Sequence, residues 1–155
     1  GAFGDNSLSG TGSDMVVHNL GNTNGLRLLN GAGFSGEYAF TLATNANVKL
    51  LADTVASTAS INSLILDGFS ITNPGSAQTI TLSSGSLAGN ILMNSATSIA
   101  GANTTLGITT NHLDILTTAS ATISAVIGTA VAGSVAISGT GSVTASAAHL
   151  CIGTT

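Results

Sequence analysis

The fold is decided by two short stretches near the end of the chain, Ser134-Val135-Ala136-Ile137-Ser138 and Ser142-Val143-Thr144-Ala145-Ser146. Each alternates small polar residues with apolar ones, which is the pattern of a β-strand that buries one face. Both lie in a run of 41 residues, Ile115 to Thr155, that contains no Asp, Glu, Lys or Arg. Such a run gains no solubility from charge repulsion. Its apolar stripes must therefore be hidden by folding, stacking or polymerisation.

The same alternation extends back to about Ser60, with gaps of seven to fifteen residues filled by Gly, Asn, Ser and Thr. Regularly spaced short strands are typical of a sandwich, a barrel or a solenoid. The strand candidates are Leu64 to Leu66, Ile80 to Leu82, Ile91 to Met93, Leu106 to Ile108, Leu113 to Ile115, Ile123 to Ile127, Val135 to Ile137 and Leu150 to Ile152.

Three features favour the solenoid. Thr, Ser and Asn stack well in parallel ladders. Hairpin turn pairs are rare, Asp67-Gly68 being the one good candidate. Three strands take about 20 to 30 residues, the size of one coil. We therefore predict an all-β, right-handed parallel β-helix (β-solenoid) with few or no helices, and keep an antiparallel β-sandwich as the alternative. Six or seven coils at ~4.8 Å would make a rod on the order of 30 Å long.

We predict a single β-solenoid domain over residues 1–155. Residues 1–60 form an irregular section or cap, because they hold most aromatic residues and both cations, Arg27 and Lys49. Residues 61–155 form the regular coils. The predicted inward-facing residues are Leu64, Leu66, Ile80, Leu82, Ile123, Ile127, Val135 and Ile137.

Composition excludes several function classes. Ser, Thr, Asn and Gly supply 75 residues, the apolar fraction is 43% and Pro74 is the only proline, so a disordered segment is disfavoured. Two cationic residues are too few to bind a phosphate backbone or an anionic membrane surface, so neither a nucleic-acid partner nor a contact with such a membrane is predicted. The stretch from Ala121 to Ile137 is too short and too rich in Gly and Thr for a membrane helix, so no membrane insertion is predicted.

The surface chemistry predicts an extracellular or cell-surface location, because a weakly charged, Thr- and Asn-rich chain is typical of extracellular repetitive proteins. The chain opens Gly1-Ala2-Phe3-Gly4 without an initiator Met, which indicates a removed leader or a fragment. Cys151 is the only cysteine, so no intrachain disulfide is predicted, and its alternating context favours a buried, inert thiol.

No catalytic, cofactor or metal site is predicted, and the chain is interpreted as not an enzyme. The acids are at least nine residues apart, and the best pair, Asp53 and Asp67, is better explained as turn carboxylates. His112 reaches Asp114 only if both face one side of a strand, and a Ser/His/Asp set is undiagnostic in so Ser-rich a chain. The remaining candidates are weaker: His18 and His149 lack partners at metal-ligand spacing, and Gly10 to Asp14 lacks the lysine of a phosphate loop.

The run from Ser60 to Thr129 resembles autotransporter-type β-strand-repeat proteins of bacterial surfaces. The resemblance is carried by Asn62 to Gly68, Ala77 to Gly85, Asn94 to Ile99, Leu113 to Thr117 and Ala121 to Ile127. It implies a parallel β-helix passenger and surface display, with no particular ligand. The chain lacks the Gly-Leu-Thr-Lys and Asn-Thr-Tyr segments that such repeats usually carry.

The sequence thus predicts a structural subunit of a bacterial extracellular fibre, sheath or surface layer. It would self-associate as a homo-oligomer or polymer through strand edges or solenoid ends, because the uncharged end from Ala145 to Thr155 has neither charge nor Pro to deter pairing. The alternatives are an adhesin or autotransporter passenger fragment and a carbohydrate-binding β-helix, with cell-surface polysaccharide as a possible partner.

Overall fold

The computed structural model describes residues 2–4, 14–18, 25–30, 35–82, 89–109, 112–129 and 134–146. All regular elements of these residues are β-strands, and fifteen of them stack in parallel on three faces. The predicted parallel β-solenoid is confirmed, and the antiparallel sandwich is wrong. From Ala121 to Ile137 the described residues form three strands, with a bend at Ser124 and Ala125 between the first two, and no helix.

Face A is a four-stranded sheet in the order β16-β13-β10-β7, and all its strands run parallel. Its strands are β7 (Ala59–Ile61), β10 (Gln78–Leu82), β13 (Thr104–Ile108) and β16 (Val126–Thr129).

Face B is a six-stranded parallel sheet in the order β17-β14-β11-β8-β5-β4. Its strands are β4 (Tyr38–Ala39), β5 (Asn47–Lys49), β8 (Ser63–Leu66), β11 (Gly89–Met93), β14 (His112–Thr117) and β17 (Ser134–Ser138).

Face C is a five-stranded parallel sheet in the order β18-β15-β12-β9-β6. Its strands are β6 (Thr54–Val55), β9 (Ile71–Thr72), β12 (Thr97–Ile99), β15 (Ser120–Ile123) and β18 (Ser142–Ala145).

From β7 to β18 the chain visits the faces in the fixed order A, B, C, so each coil there is one strand triplet. On face A, Ala59 pairs with Ile80, Ile80 with Leu106 and Leu106 with Ile127, which makes successive coils 21, 26 and 21 residues long. Four triplets, β7 to β18, span about three turns. Within the described ranges this is fewer than the six or seven coils expected, because the described residues before Tyr38 do not join the parallel faces.

The core is a column of aliphatic side chains from alternate strand positions. On face B, Val48, Leu64, Ile91 and Ile115 stack in register and are at most 1% exposed. Burial at alternate positions on three faces produces a thin core that needs no large aromatic residues. Six predicted core residues are confirmed as buried: Leu64, Leu66, Ile80, Leu82, Ile123 and Ile127.

The other two predicted core residues lie in β17, the edge strand of face B. Val135 is half-buried against the core. Ile137 pairs with the buried Ile115, so it lies on the predicted inner side, yet it is 55% exposed and does not belong to the core. The reason is its position, because among the described strands β17 has a neighbour on one side only.

A separate antiparallel sheet precedes the parallel faces, with the order β1-β2-β3. We call it the N-terminal sheet. Its strands are β1 (Ala2–Gly4), β2 (Asp14–His18) and β3 (Leu26–Leu28).

The N-terminal sheet packs on the outer surface of face B and makes a second core there. Met15 from the sheet packs with Tyr38 and with Ile65 and Leu92, which face outward from β8 and β11. Ile65 and Leu92 are fully buried as a result. The sequence signal for this contact is three consecutive apolar residues, as in Leu64-Ile65-Leu66, because such a strand is buried on both faces.

Polar contacts attach this sheet and use both cations of the chain. Lys49 Nζ lies 2.8 Å from Asp14 Oδ1 and 5.8 Å from the centre of the Tyr38 ring. Arg27 makes a two-point ion pair with Glu37, at 2.7 Å and 2.5 Å. The hydrogen bonds from Arg27 lower the pKa of Glu37 despite some desolvation.

Candidate functional site

The last coil ends all three faces in the described part of the chain. Strands β16, β17 and β18 are the outermost strands of faces A, B and C. Each therefore has one long edge without a described neighbouring strand. Edge strands are templates for pairing with another chain unless charge, Pro or a bulge deters it.

The side chains of the last coil combine an uncharged surface with an exposed apolar residue. Ser142 and Thr144 are exposed and Val143 is half-buried against the core, so the predicted outward-facing positions are confirmed. Ile137 adds an apolar side chain that is 55% exposed. No charged residue lies between 134 and 146. This end of the solenoid therefore exposes an apolar side chain and has, between residues 134 and 146, no charge that would deter pairing with another chain.

The opposite end of the solenoid is apolar as well. Leu51 and Val55, which flank or lie in β6, are 56% and 59% exposed, and Phe40, directly after β4, is 51% exposed. Among the described residues, every large apolar side chain that is more than half exposed lies at one of the two ends or, as Leu26 does, in the N-terminal sheet. Exposed apolar surface of this kind marks interaction sites more often when it is clustered than when it is scattered.

A polar cluster lies beside this end, on the outer surface of face B. His112 Nε2 is 2.8 Å from Asp114 Oδ1, because residues two apart on a strand face the same side. His112 Nδ1 is 2.5 Å from Ser134 Oγ on the next coil. The sequence predicted a His112–Asp114 contact only if both side chains faced the same side of a strand, and in the structure they do. The sequence analysis did not single out Ser134. This serine lies next to His112 because the intervening coil has 22 residues, which makes the two residues register partners.

The acids predicted to be turn carboxylates have that role. Asp53 Oδ1 accepts a hydrogen bond from the backbone N–H of Ser70 at 2.8 Å, and Asp67 Oδ1 accepts one from Ser95 Oγ at 3.1 Å. Both contacts join neighbouring coils. These carboxylates are therefore engaged in holding turns together.

Tyr38 is the buried ionisable group of the second core. Its hydroxyl oxygen accepts a hydrogen bond from the Met15 N–H at 3.0 Å. Burial raises the pKa of the phenol far above its ordinary value, and the nearby Asp14 carboxylate adds to the rise. The phenol therefore stays neutral and acts as a hydrogen-bonding anchor for the N-terminal sheet.

Several sequence candidates lie outside the described residues: Asp5, residues 10–13, His149 and Cys151. His18 lies in β2, paired with Leu26. Within the described ranges, no group of three or more His, Cys, Asp or Glu residues is placed to hold a metal ion. The same ranges contain no helix with the length and apolarity needed to cross a membrane.

Comparisons of the chain with family models, with curated proteins and with solved structures found no match. The resemblance to autotransporter-type β-strand repeats therefore stays a prediction from the sequence.

Proposed function

We propose that this protein is a structural subunit that stacks end to end into an extracellular fibre, sheath or surface layer. The observation that carries the proposal is the location of exposed apolar side chains at both ends of a weakly charged solenoid, with Ile137 at one end and Leu51 and Val55 at the other. Stacking two copies would hide these side chains and extend parallel sheets across the junction.

The geometry of such an assembly follows from the coil. The two ends of a solenoid differ, so contact between them is head to tail, and a head-to-tail contact that does not close produces an open filament. With few charges on the chain, the contact depends on backbone pairing and apolar burial. Assembly should therefore persist at high ionic strength, because salt screens only charge interactions.

Ser142 and Ser120 allow a matched test. They are register partners on face C and both are exposed, but Ser142 lies in the edge strand β18 and Ser120 in the interior strand β15. Ser142→Lys should shorten assemblies or give monomers, because a lysine on an edge strand deters pairing. Ser120→Lys adds the same charge away from the edge and should assemble like the unmodified protein.

Negative-stain microscopy and light scattering at micromolar protein concentration and neutral pH measure both variants. Filaments that shorten only in Ser142→Lys support the proposal. A stable monomer of the unmodified protein contradicts it. In that case the surface-passenger interpretation takes its place, in which the coil is a spacer within a longer surface chain.

The carbohydrate-binding alternative has less support. Sugar-binding grooves use exposed aromatic side chains, and among the side chains that the structure describes Tyr38 is buried and Phe69 packs against the core. Phe40 is the exposed aromatic residue of this set. One aromatic side chain does not make a groove.

A further inference from the structure

The outer surface of face B joins three groups in one chain of hydrogen bonds. Ser134 Oγ lies 2.5 Å from His112 Nδ1, and His112 Nε2 lies 2.8 Å from Asp114 Oδ1. His112 and Asp114 come from β14 and Ser134 from β17, the adjacent strand of the last coil. The parallel register, which sets His112 opposite Ser134, holds the three together.

The proton positions follow from the chemistry of the groups. An ionised carboxylate only accepts hydrogen bonds, so the imidazole nitrogen facing Asp114 must carry the hydrogen. In the neutral ring the other nitrogen is then an acceptor. Nδ1 therefore accepts from the Ser134 hydroxyl, and His112 is held in the tautomer that can remove the serine proton.

We propose that Ser134 is an activated nucleophile that accepts acyl groups from small, activated carboxylic esters. Ser134 Oγ attacks the ester carbonyl carbon while its proton passes to His112 Nδ1. The bond from the carbonyl carbon to the leaving oxygen then breaks, and the proton returns to the leaving group as an alcohol or phenol. The product is an ester of Ser134, which water hydrolyses in a second step with His112 again accepting the proton.

The position of the cluster suits a small and unselective substrate. The His112 and Asp114 side chains are 40% and 36% exposed, and Ser134 is exposed on the edge strand. An open surface lets small esters reach the hydroxyl but gives little binding energy. The activity proposed is therefore reactivity of one serine toward activated acyl donors, and it does not depend on end-to-end assembly.

The matched controls lie on the same two strands. Ser138 is an exposed serine of β17 whose register partner is Leu116, so it has no histidine opposite it. Asp114→Asn keeps the size of the side chain, but its amide N–H would donate to Nε2 and leave the hydrogen on Nδ1, the wrong tautomer for a base. This variant separates a positioning role of Asp114 from a structural one.

The experiment uses p-nitrophenyl acetate with the full chain, below the assembly concentration and again in assembled material. Release of p-nitrophenolate is followed by absorbance, and the acetylated residue is located by peptide mass spectrometry. We expect an acetyl group on Ser134, with a rate about 100-fold higher than in Ser134→Ala or Asp114→Asn. Ser138→Ala should react like the unmodified protein.

Circular dichroism and thermal unfolding of each variant establish that the exposed substitutions leave the fold intact. Equal rates in the unmodified protein and Ser134→Ala, in both free and assembled material, would overturn the proposal. Equal rates in the unmodified protein and Asp114→Asn would overturn it as well, since the tautomer would then have no effect. Loss of the reaction in Ser138→Ala would place the reactive serine elsewhere.

Discussion

The N-terminal sheet and the coils reach order by different physical means. The coils repeat one pattern, so each strand finds its neighbour by matching apolar positions, and faces A and C carry no ion pair among their described residues. The N-terminal sheet does not repeat, and it is attached through specific pairs such as Lys49–Asp14 and Arg27–Glu37. The ion pairs Lys49–Asp14 and Arg27–Glu37 thus lie where repetition cannot define the register.

This difference between the two regions explains why so few charged residues are enough to specify the fold. A one-residue slip in a coil would turn every apolar side chain outward, so burial excludes such slips without any help from charge. The contact between the N-terminal sheet and face B has no such repeat, and ion pairs and the Tyr38 hydrogen bond supply its specificity. Four predictions test whether apolar burial orders the coils while specific polar contacts attach the N-terminal sheet.

The largest effect is expected from a charge placed inside the coil. Ile80→Asp puts an unpaired carboxylate at a position that is fully buried, which should cost more than about 4 kcal/mol of unfolding free energy or prevent folding. Thr79→Asp, at the exposed neighbouring position of β10, should stay within about 0.5 kcal/mol. Denaturant unfolding measures both. Equal stability of the two variants would contradict the assigned inner face.

The next effect compares a glycine of the last coil with one in the segment between the N-terminal sheet and β4. Gly139 has a φ of 108°, and an added Cβ would lie 2.0 Å from the Thr117 carbonyl oxygen, so Gly139→Ala should cost at least about 2 kcal/mol. Gly36 has a φ of 73° with nothing within 4 Å of such a Cβ. Gly36→Ala should therefore cost about 1 kcal/mol, from backbone strain alone. If thermal unfolding shows a larger loss of stability for Gly36→Ala than for Gly139→Ala, the coils do not pack as closely at Gly139 as the structure shows.

The third prediction concerns the anchor of the N-terminal sheet. Tyr38→Phe keeps the ring but removes the oxygen that accepts from the Met15 N–H, which should cost about 1 kcal/mol. Hydrogen exchange should quicken in β2 and β3 and stay unchanged in β10 of face A. Phe40→Leu, at an exposed position two residues further on, serves as the control and should leave exchange in β2 unaltered. Faster exchange throughout the coils would mean that the two regions unfold together.

The smallest effect is a pH dependence confined to the N-terminal region. The pKa of Glu37 is lowered in the folded protein by hydrogen bonds from Arg27, with a further contribution from the Asn30 N–H. A lowered pKa means that the ionised form stabilises the fold. This contribution is complete above the ordinary value of about 4.3 and is lost as the pH falls through the folded pKa.

Acid should therefore quicken hydrogen exchange around residues 25–30 before it affects the coils. Glu37→Gln should exchange faster there at neutral pH and lose the acid dependence. An acid response of equal size in Glu37→Gln would assign the effect to another carboxylate.

Much of the coil could be predicted from the sequence, because alternation is a local property. Leu64, Ile80 and Ile123 face inward as their neighbours require, and the shortage of turn pairs correctly indicated parallel crossovers. The alternation also placed Ile137 on the inner side, but its exposure depends on whether another strand follows. Burial at an edge is a property of the stack, so the strand pattern alone did not contain it.

The tertiary structure alone decided the contacts between segments far apart in the chain. The sequence by itself determined strand faces, coil size and the lack of charge, since these depend on residue order and composition. It did not determine that the N-terminal sheet covers Ile65 and Leu92, or that Ser134 reaches His112. Those contacts depend on the length of each turn, which sets the register between coils, and on packing between surfaces that share no repeat.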